Sequence, residues 1–210
     1  LDYFSIFGLS HRLALDTSAL EQAFYTQSRR LHPDRFAARP AAEQEQALAA
    51  SSALNDAYRT LKDPIARTEH LLRLQGVELE EQSRAATDAA KAAGTAKKPV
   101  TAPELLEEAF ELNMQLEEMR MARRMGEDDP ATRADLQAAR TRYASTMDGI
   151  ATELHALWSM WDGTLEHDLA GEDAEIAMSR RGEAVTGMTA LLNRRSYVRN
   201  LLRDVNDALA

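Results

Sequence analysis

The sequence predicts an all-α protein, and three observations carry that prediction. Ala, Leu, Glu and Arg are abundant, while only nine glycines and six prolines interrupt 210 residues, a composition of strong helix formers with few breakers. No alternating Val/Ile/Thr run is long enough to make a strand. Apolar residues instead recur at three- and four-residue steps through several long segments.

The elements follow in order. "LDYFSIFGLS" makes a helical turn or two that ends at Gly8. "DTSALEQAFYTQSRRLH" opens with N-cap candidates Asp16 and Thr17 and carries Leu20, Phe24 and Leu31 on one face. Pro33 ends it, because proline lacks an N–H and disfavours helical geometry at His32. A second helix spans about Ala41 to Leu61, with Ala47, Ala50, Leu54, Ala57, Tyr58 and Leu61 on one side. The two form an antiparallel hairpin with the opening turn across it. Asp63-Pro64 starts a further helix, "PIARTEHLLRLQG", which Gly76 caps.

Residues 83–102 differ: eight of the twenty are alanine and Val100 is the one larger aliphatic, so the stretch reads as a flexible linker. Order resumes at Thr101, where Thr101 and Glu104 have capping-box spacing and Pro103 lies in the first turn. That helix reaches about Met125 and stops at Gly126. A long helix from 128–130 to about Trp161 carries Tyr143, Met147, Ile150, Leu154, Leu157 and Trp161 as a heptad seam. The last, roughly Ala174 to Leu209, repeats the pattern with Met188, Leu191, Val198, Leu202, Val205 and Leu209, interrupted by Arg195. Matching stripes predict an antiparallel three-helix bundle, with Trp158 and Trp161 in its core. The division expected is residues 1–76, a partly flexible linker at 77–102, and a bundle at 103–210.

Composition narrows the chemistry. The net charge is −9, yet residues 1–75 carry nine basic and nine acidic side chains, leaving 16 basic and 25 acidic for the rest. An acidic second part would repel a phosphate backbone, so no nucleic-acid partner is expected. Without cysteine there are no disulfides, no thiolate-held metal and no thiol nucleophile. No apolar run reaches transmembrane length and no secretory pattern is present, so no membrane partner is expected. The histidines form no HxxxH pair or compact ligand cluster, so neither metal nor cofactor is expected. No nucleophile–base pair or phosphate loop is evident, which argues against an enzyme.

Two stretches invite a functional reading. His32-Pro33-Asp34 is either an ordinary helix stop with a capping aspartate or a polar tip presented by a rigid turn. Arg29, Arg30, Arg35 and Arg39 around it are either a solvated face or a steering field for an acidic partner surface. In the helix from Glu104, Leu105, Ala109, Leu112, Leu116 and Met119 make one stripe, assigned to the core. Leu106, Phe110 and Met114 make a second, displaced by roughly 100°, with Glu107, Glu111 and Glu118 around it. Together these are either one wide core-facing band or a core stripe beside a docking strip.

HPD alone is a modest signal, since a given tripeptide arises by chance in about 1% of chains this long. Joining two antiparallel amphipathic helices and following two arginines, it resembles the J-domain, which activates the ATPase of DnaK-class chaperones. "LNDAYRTLKDP" (54–64) is similar to the end of that domain's third helix. More specifically, "DYFSIFGL", "LHPDRF", "LNDAYRTLKDPIARTEHLLRLQG" and "LLEEAFELNMQLEEM" resemble the HscB-type co-chaperones of iron–sulfur cluster assembly. The "RTEHLLRLQG" extension is the most telling, because ordinary J-domains do not carry it. The absence of a cysteine-rich N-terminal extension fits the bacterial form.

The resemblance implies an N-terminal J-domain and a C-terminal three-helix bundle in a cytoplasmic co-chaperone, not an enzyme. The bundle would hold an IscU-like scaffold protein, and the J-domain would stimulate a DnaK-class, HscA-like ATPase. It implies that His32, Pro33, Asp34, Arg29, Arg30 and Arg35 face the chaperone. It implies that Leu106, Phe110, Glu111 and Glu118 face the scaffold, joined by Met114, Glu107 and Tyr197 of "RRSYVRNLL". The sequence departs from the family in several places. Arg35 stands where lysine is common, and Glu107 and Met114 exchange the usual apolar and acidic types. The alanine-rich linker looks inserted, and the last two helices look longer than usual. A J-protein with another client, or a helical interaction protein with an incidental HPD, are the competing readings.

Overall fold

The computed structural model describes residues 1–79, 103–125, 130–165 and 172–210, and the described residues are all helix, turn and coil without a strand. The linker expected over 77–102 falls outside them from residue 80 onward, as do Thr101, Gly126 and the 128–129 acidic pair. Seven α-helices appear among the described residues: α1 (Tyr3–Ile6), α2 (Thr17–Leu31), α3 (Ala41–Lys62), α4 (Pro64–Leu74), α5 (Pro103–Met125), α6 (Pro130–Gly163) and α7 (Glu172–Leu209). The all-α expectation holds.

Local chemistry starts and stops the early helices. Asp2 caps α1 by accepting from Phe4 N–H, and Asp16 caps α2 by accepting from Ser18 and Ala19 N–H. Asp63 caps α4 at 2.7 Å from Ala66 N, with Pro64 in the first turn. Gly8 and Gly76 end their helices at φ 65° and 78°, backbone that glycine adopts at least cost.

The chain forms two compact units. The first joins Leu1–Val77 to Ala156–Met188, and the second comprises Glu78–His155 with Thr189–Ala210. In the first, α2 and α3 pair, with the Phe24 and Tyr58 rings stacked at 4.2 Å. Leu20, Ala47, Leu54, Ala57 and Leu61 are buried between these elements and their neighbours. Ala50, expected on the same side, is exposed, although its angle around the helix falls between those of buried Ala57 and Leu61. The end of α6 belongs to this unit. Trp161 Nε1 donates to the His11 carbonyl at 2.8 Å, and Arg67 lies over the Trp158 ring at 5.8 Å. The two tryptophans, expected in the bundle core, instead pack with the N-terminal segment, because their indoles find a carbonyl and a guanidinium there.

In the second unit α5, α6 and α7 share a core of Leu112, Leu116 and Met119, of Leu136, Ala139 and Tyr143, and of Val198, Leu201 and Val205. The start of α6 faces the end of α7, so these helices run antiparallel, as the matching stripes require. Among the described residues no helix is long and apolar enough to cross a membrane.

Candidate functional site

The turn after α2 is built by its own sequence. His32 adopts φ −59°, ψ 129°, the extended geometry that a following proline imposes. Pro33 then starts a single 3₁₀ turn, Pro33–Arg35, closed by Arg35 N–H to the His32 carbonyl at 3.0 Å and Phe36 N–H to the Pro33 carbonyl at 2.9 Å. His32 Nδ1 accepts from Asp34 N–H at 3.3 Å and lies 3.5 Å from an Asp34 carboxylate oxygen. That acceptor role leaves the proton of the neutral ring on Nε2. The Arg35 guanidinium reaches back to the Arg29 carbonyl at 3.4 Å, tying the turn to the last turn of α2. Farther along, Gln44 donates to the Arg39 carbonyl at 2.8 Å and holds the loop onto α3.

Everything chemically active at this tip faces water. The Asp34 side chain is 89% exposed and that of His32 57%, and Pro33, Arg29, Arg30, Arg35 and Arg39 are exposed as well. Phe36 alone is half-buried and anchors the turn. An exposed carboxylate on a hydrogen-bonded bend can meet a partner without reorganising first.

The other candidate surface lies on α5. Phe110 is 67% exposed and Met114 52%, and Glu107, Glu111 and Glu118 stand in solvent beside them. Among the described side chains of the same helix the buried ones are Leu112, Leu116 and Met119. At 100° per residue the exposed pair is centred roughly 170° from that core-facing set. The two stripes therefore lie on opposite sides, farther apart than the sequence suggested, and a single broad core-facing band does not describe them. The side chains of Leu105, Leu106 and Ala109 fall outside the described residues. Tyr197 is half-buried against the bundle core from α7.

Sequence reasoning missed two features. Met121 and Met125, 68% and 67% exposed, continue the Phe110/Met114 face toward the end of α5; their spacing of eleven and fifteen residues from Phe110 was the available signal. Asp162, buried in the last turn of α6, accepts from Leu13 N–H and Ala14 N–H at 2.8 Å each, and no local pattern announces such a partner. Among the described residues no group of three or more His, Asp or Glu side chains is placed to hold a metal ion.

No protein-family model matches the chain. Curated relatives do: the co-chaperone protein HscB homolog of Bordetella pertussis is 36% identical over 152 residues, 72% of this chain and 79% of that protein. The co-chaperone protein HscB of Proteus mirabilis is 38% identical over 90 residues, 43% of this chain and 52% of its own length. Among solved structures, chaperone HscB from Vibrio cholerae superposes with a TM-score of 0.61 at 25% identity, covering 98% of this chain and 96% of that one. Human co-chaperone protein HscB shares the fold, with a TM-score of 0.53 at 20% identity over 98% of this chain and 81% of that one. With its HPD turn joining two paired helices, its three-helix bundle and these relatives, the chain belongs to the HscB family of co-chaperones.

Proposed function

We propose that this chain binds an IscU-like iron–sulfur scaffold protein through α5 and delivers it to a DnaK-class, HscA-like chaperone whose ATPase it stimulates through the HPD turn. On this reading residues 1–76 are the chaperone-facing module and 103–210 the scaffold-facing one, both working in the cytoplasm. Asp34 and His32 engage the chaperone, Pro33 holds them in place, and Arg29, Arg30 and Arg35 steer the encounter. Phe110 and Met114 supply the apolar anchor for the scaffold. Glu107, Glu111 and Glu118 form its polar rim, with Leu106 and Tyr197 as further contacts. The groups that hydrolyse ATP belong to the chaperone, so this chain is an activator and not an enzyme.

The observation that carries the reading is the exposure of Phe110 on the side of α5 opposite its core-facing residues. A large ring left in water on an already packed helix has no use within the fold. Placing both surfaces on one chain raises the client's effective concentration at the chaperone.

Steady-state ATPase of the chaperone with scaffold present tests it. Asp34→Asn should abolish stimulation while calorimetric scaffold affinity stays at the wild-type value. Phe110→Ala should do the reverse, weakening scaffold binding by about 1–3 kcal/mol. Stimulation without any scaffold affinity would assign the bundle a different client, and unchanged turnover with wild type would remove the J-protein role.

A further inference from the structure

The apolar face of α5 does not end at Met114. Met121 and Met125, 68% and 67% exposed, follow Phe110 and Met114 at positions that fall within about 60° of one another around the helix. The four side chains run along about 22 Å of one face. They offer apolar surface on the order of 400 Å², the scale at which exposed patches on monomers are usually functional. Phe110 and Met114 alone span only about 6 Å of that line, and adding Met121 and Met125 brings the face nearer to the roughly 800 Å² that each partner contributes to a stable complex.

The charge along this strip changes sign. Glu107 and Glu111 border the Phe110/Met114 end along one edge and Glu118 stands midway on the same edge, whereas Arg120 and Arg124 border the Met121/Met125 end along the other. Glu117 also stands midway and pairs with Arg120. A bare apolar helix face could accept a partner in either direction. One with carboxylates at one end and guanidinium groups at the other accepts a partner in a single polarity.

We infer that Met121 and Met125, with Arg124 beside them, form a second half of the scaffold-docking strip. This half receives an apolar stretch of the scaffold bordered by acidic side chains and sets the direction in which it lies along α5. The inference rests on the proposal that α5 binds the scaffold. Methionine suits the task, because its unbranched, polarizable side chain repacks against an irregular partner surface.

The test is calorimetric titration of the full chain with a purified IscU-type scaffold, comparing wild type, Phe110→Ala, Met121→Ala/Met125→Ala and Arg124→Glu. The double methionine variant should bind about tenfold more weakly. Arg124→Glu should bind several-fold more weakly at low salt, with the deficit shrinking as salt rises. All these side chains are exposed, so equal thermal unfolding midpoints should show the fold intact. Wild-type affinity in the methionine variant, with binding lost in Phe110→Ala, would overturn the extension and leave the scaffold reading standing. No scaffold affinity in wild type, or none lost in any variant, would overturn both. Sedimentation velocity covers the remaining occupant: a wild-type dimer dissolved by the methionine changes, with scaffold binding unaltered, would assign this end to self-association and overturn the extension.

Discussion

Asp162 ties the end of α6 to the N-terminal loop: its two carboxylate oxygens each accept a backbone N–H at 2.8 Å, from Leu13 and from Ala14. Asp162 is buried, and its charge also favours the protonated form of Arg67, against the burial that lowers the Arg67 pKa. Replacing it with alanine leaves two N–H groups without an acceptor. Asp162→Ala should therefore lower unfolding free energy by about 2–4 kcal/mol, read as a shift in the urea midpoint. Asp162→Asn should lose less, since one oxygen remains to accept. His70 works in the opposite charge state. Its Nε2 accepts from Tyr3 N–H at 3.1 Å, its ring stacks on Tyr3 at 4.4 Å, and the buried Nδ1 has no partner. Burial, helped by the Arg73 charge, lowers its pKa below 6.5. The unfolded chain then takes up a proton that the folded chain refuses. The stability is whole above pH 6.5 and declines as pH falls from there through the lower folded value. Urea midpoints measured from pH 7.5 downward should fall in that window for wild type, and the decline should be smaller in His70→Gln. Asp2 acts at lower pH. Partial burial raises its pKa, but hydrogen bonds from Ser5 and His11 outweigh that and hold it at about 2. Its contribution is lost only as pH drops from 3.8 toward that value.

Helix ends were the most legible elements, because capping is a local transaction between neighbours in sequence. Asp16, Asp63 with Pro64, and Gly76 all stand where spacing and residue type placed them. Asp63→Ala should cost about 1 kcal/mol in unfolding free energy by removing the acceptor for Ala66 N–H. Gly76→Ala should cost a similar amount, about 1 kcal/mol. An added Cβ there meets nothing within 4 Å, so the penalty comes from the φ of 78° alone. The faces of helices were less legible. Periodicity separated the core stripe of α5 from the Phe110 stripe, but the angle between them came out too small. Periodicity reports that a residue is apolar, and a docking strip is written in the same letters as a core. Ala50 shows the same limit, since it shares the angle of the buried stripe of α3 and is nonetheless exposed.

Over the whole molecule, the four arginines around the HPD turn lie in solvent, where salt screens them within about 8–10 Å. Under the proposed function, raising ionic strength should therefore slow the onset of chaperone stimulation more than it lowers turnover at saturation, a separation that stopped-flow mixing against steady-state ATPase would resolve. The sequence by itself determined the helical class, the helix ends, the stiff turn and its polar tip, because each depends on residues a few positions apart. Tertiary structure decided which tryptophan surroundings formed, which residue Asp162 would serve, and which apolar side of α5 stayed in water. Residues 156–188 gather with residues 1–77, where Asp162 accepts from Leu13 and Ala14 N–H and Trp161 donates to the His11 carbonyl. Such complementarity between groups some 150 residues apart leaves no periodic trace in either segment.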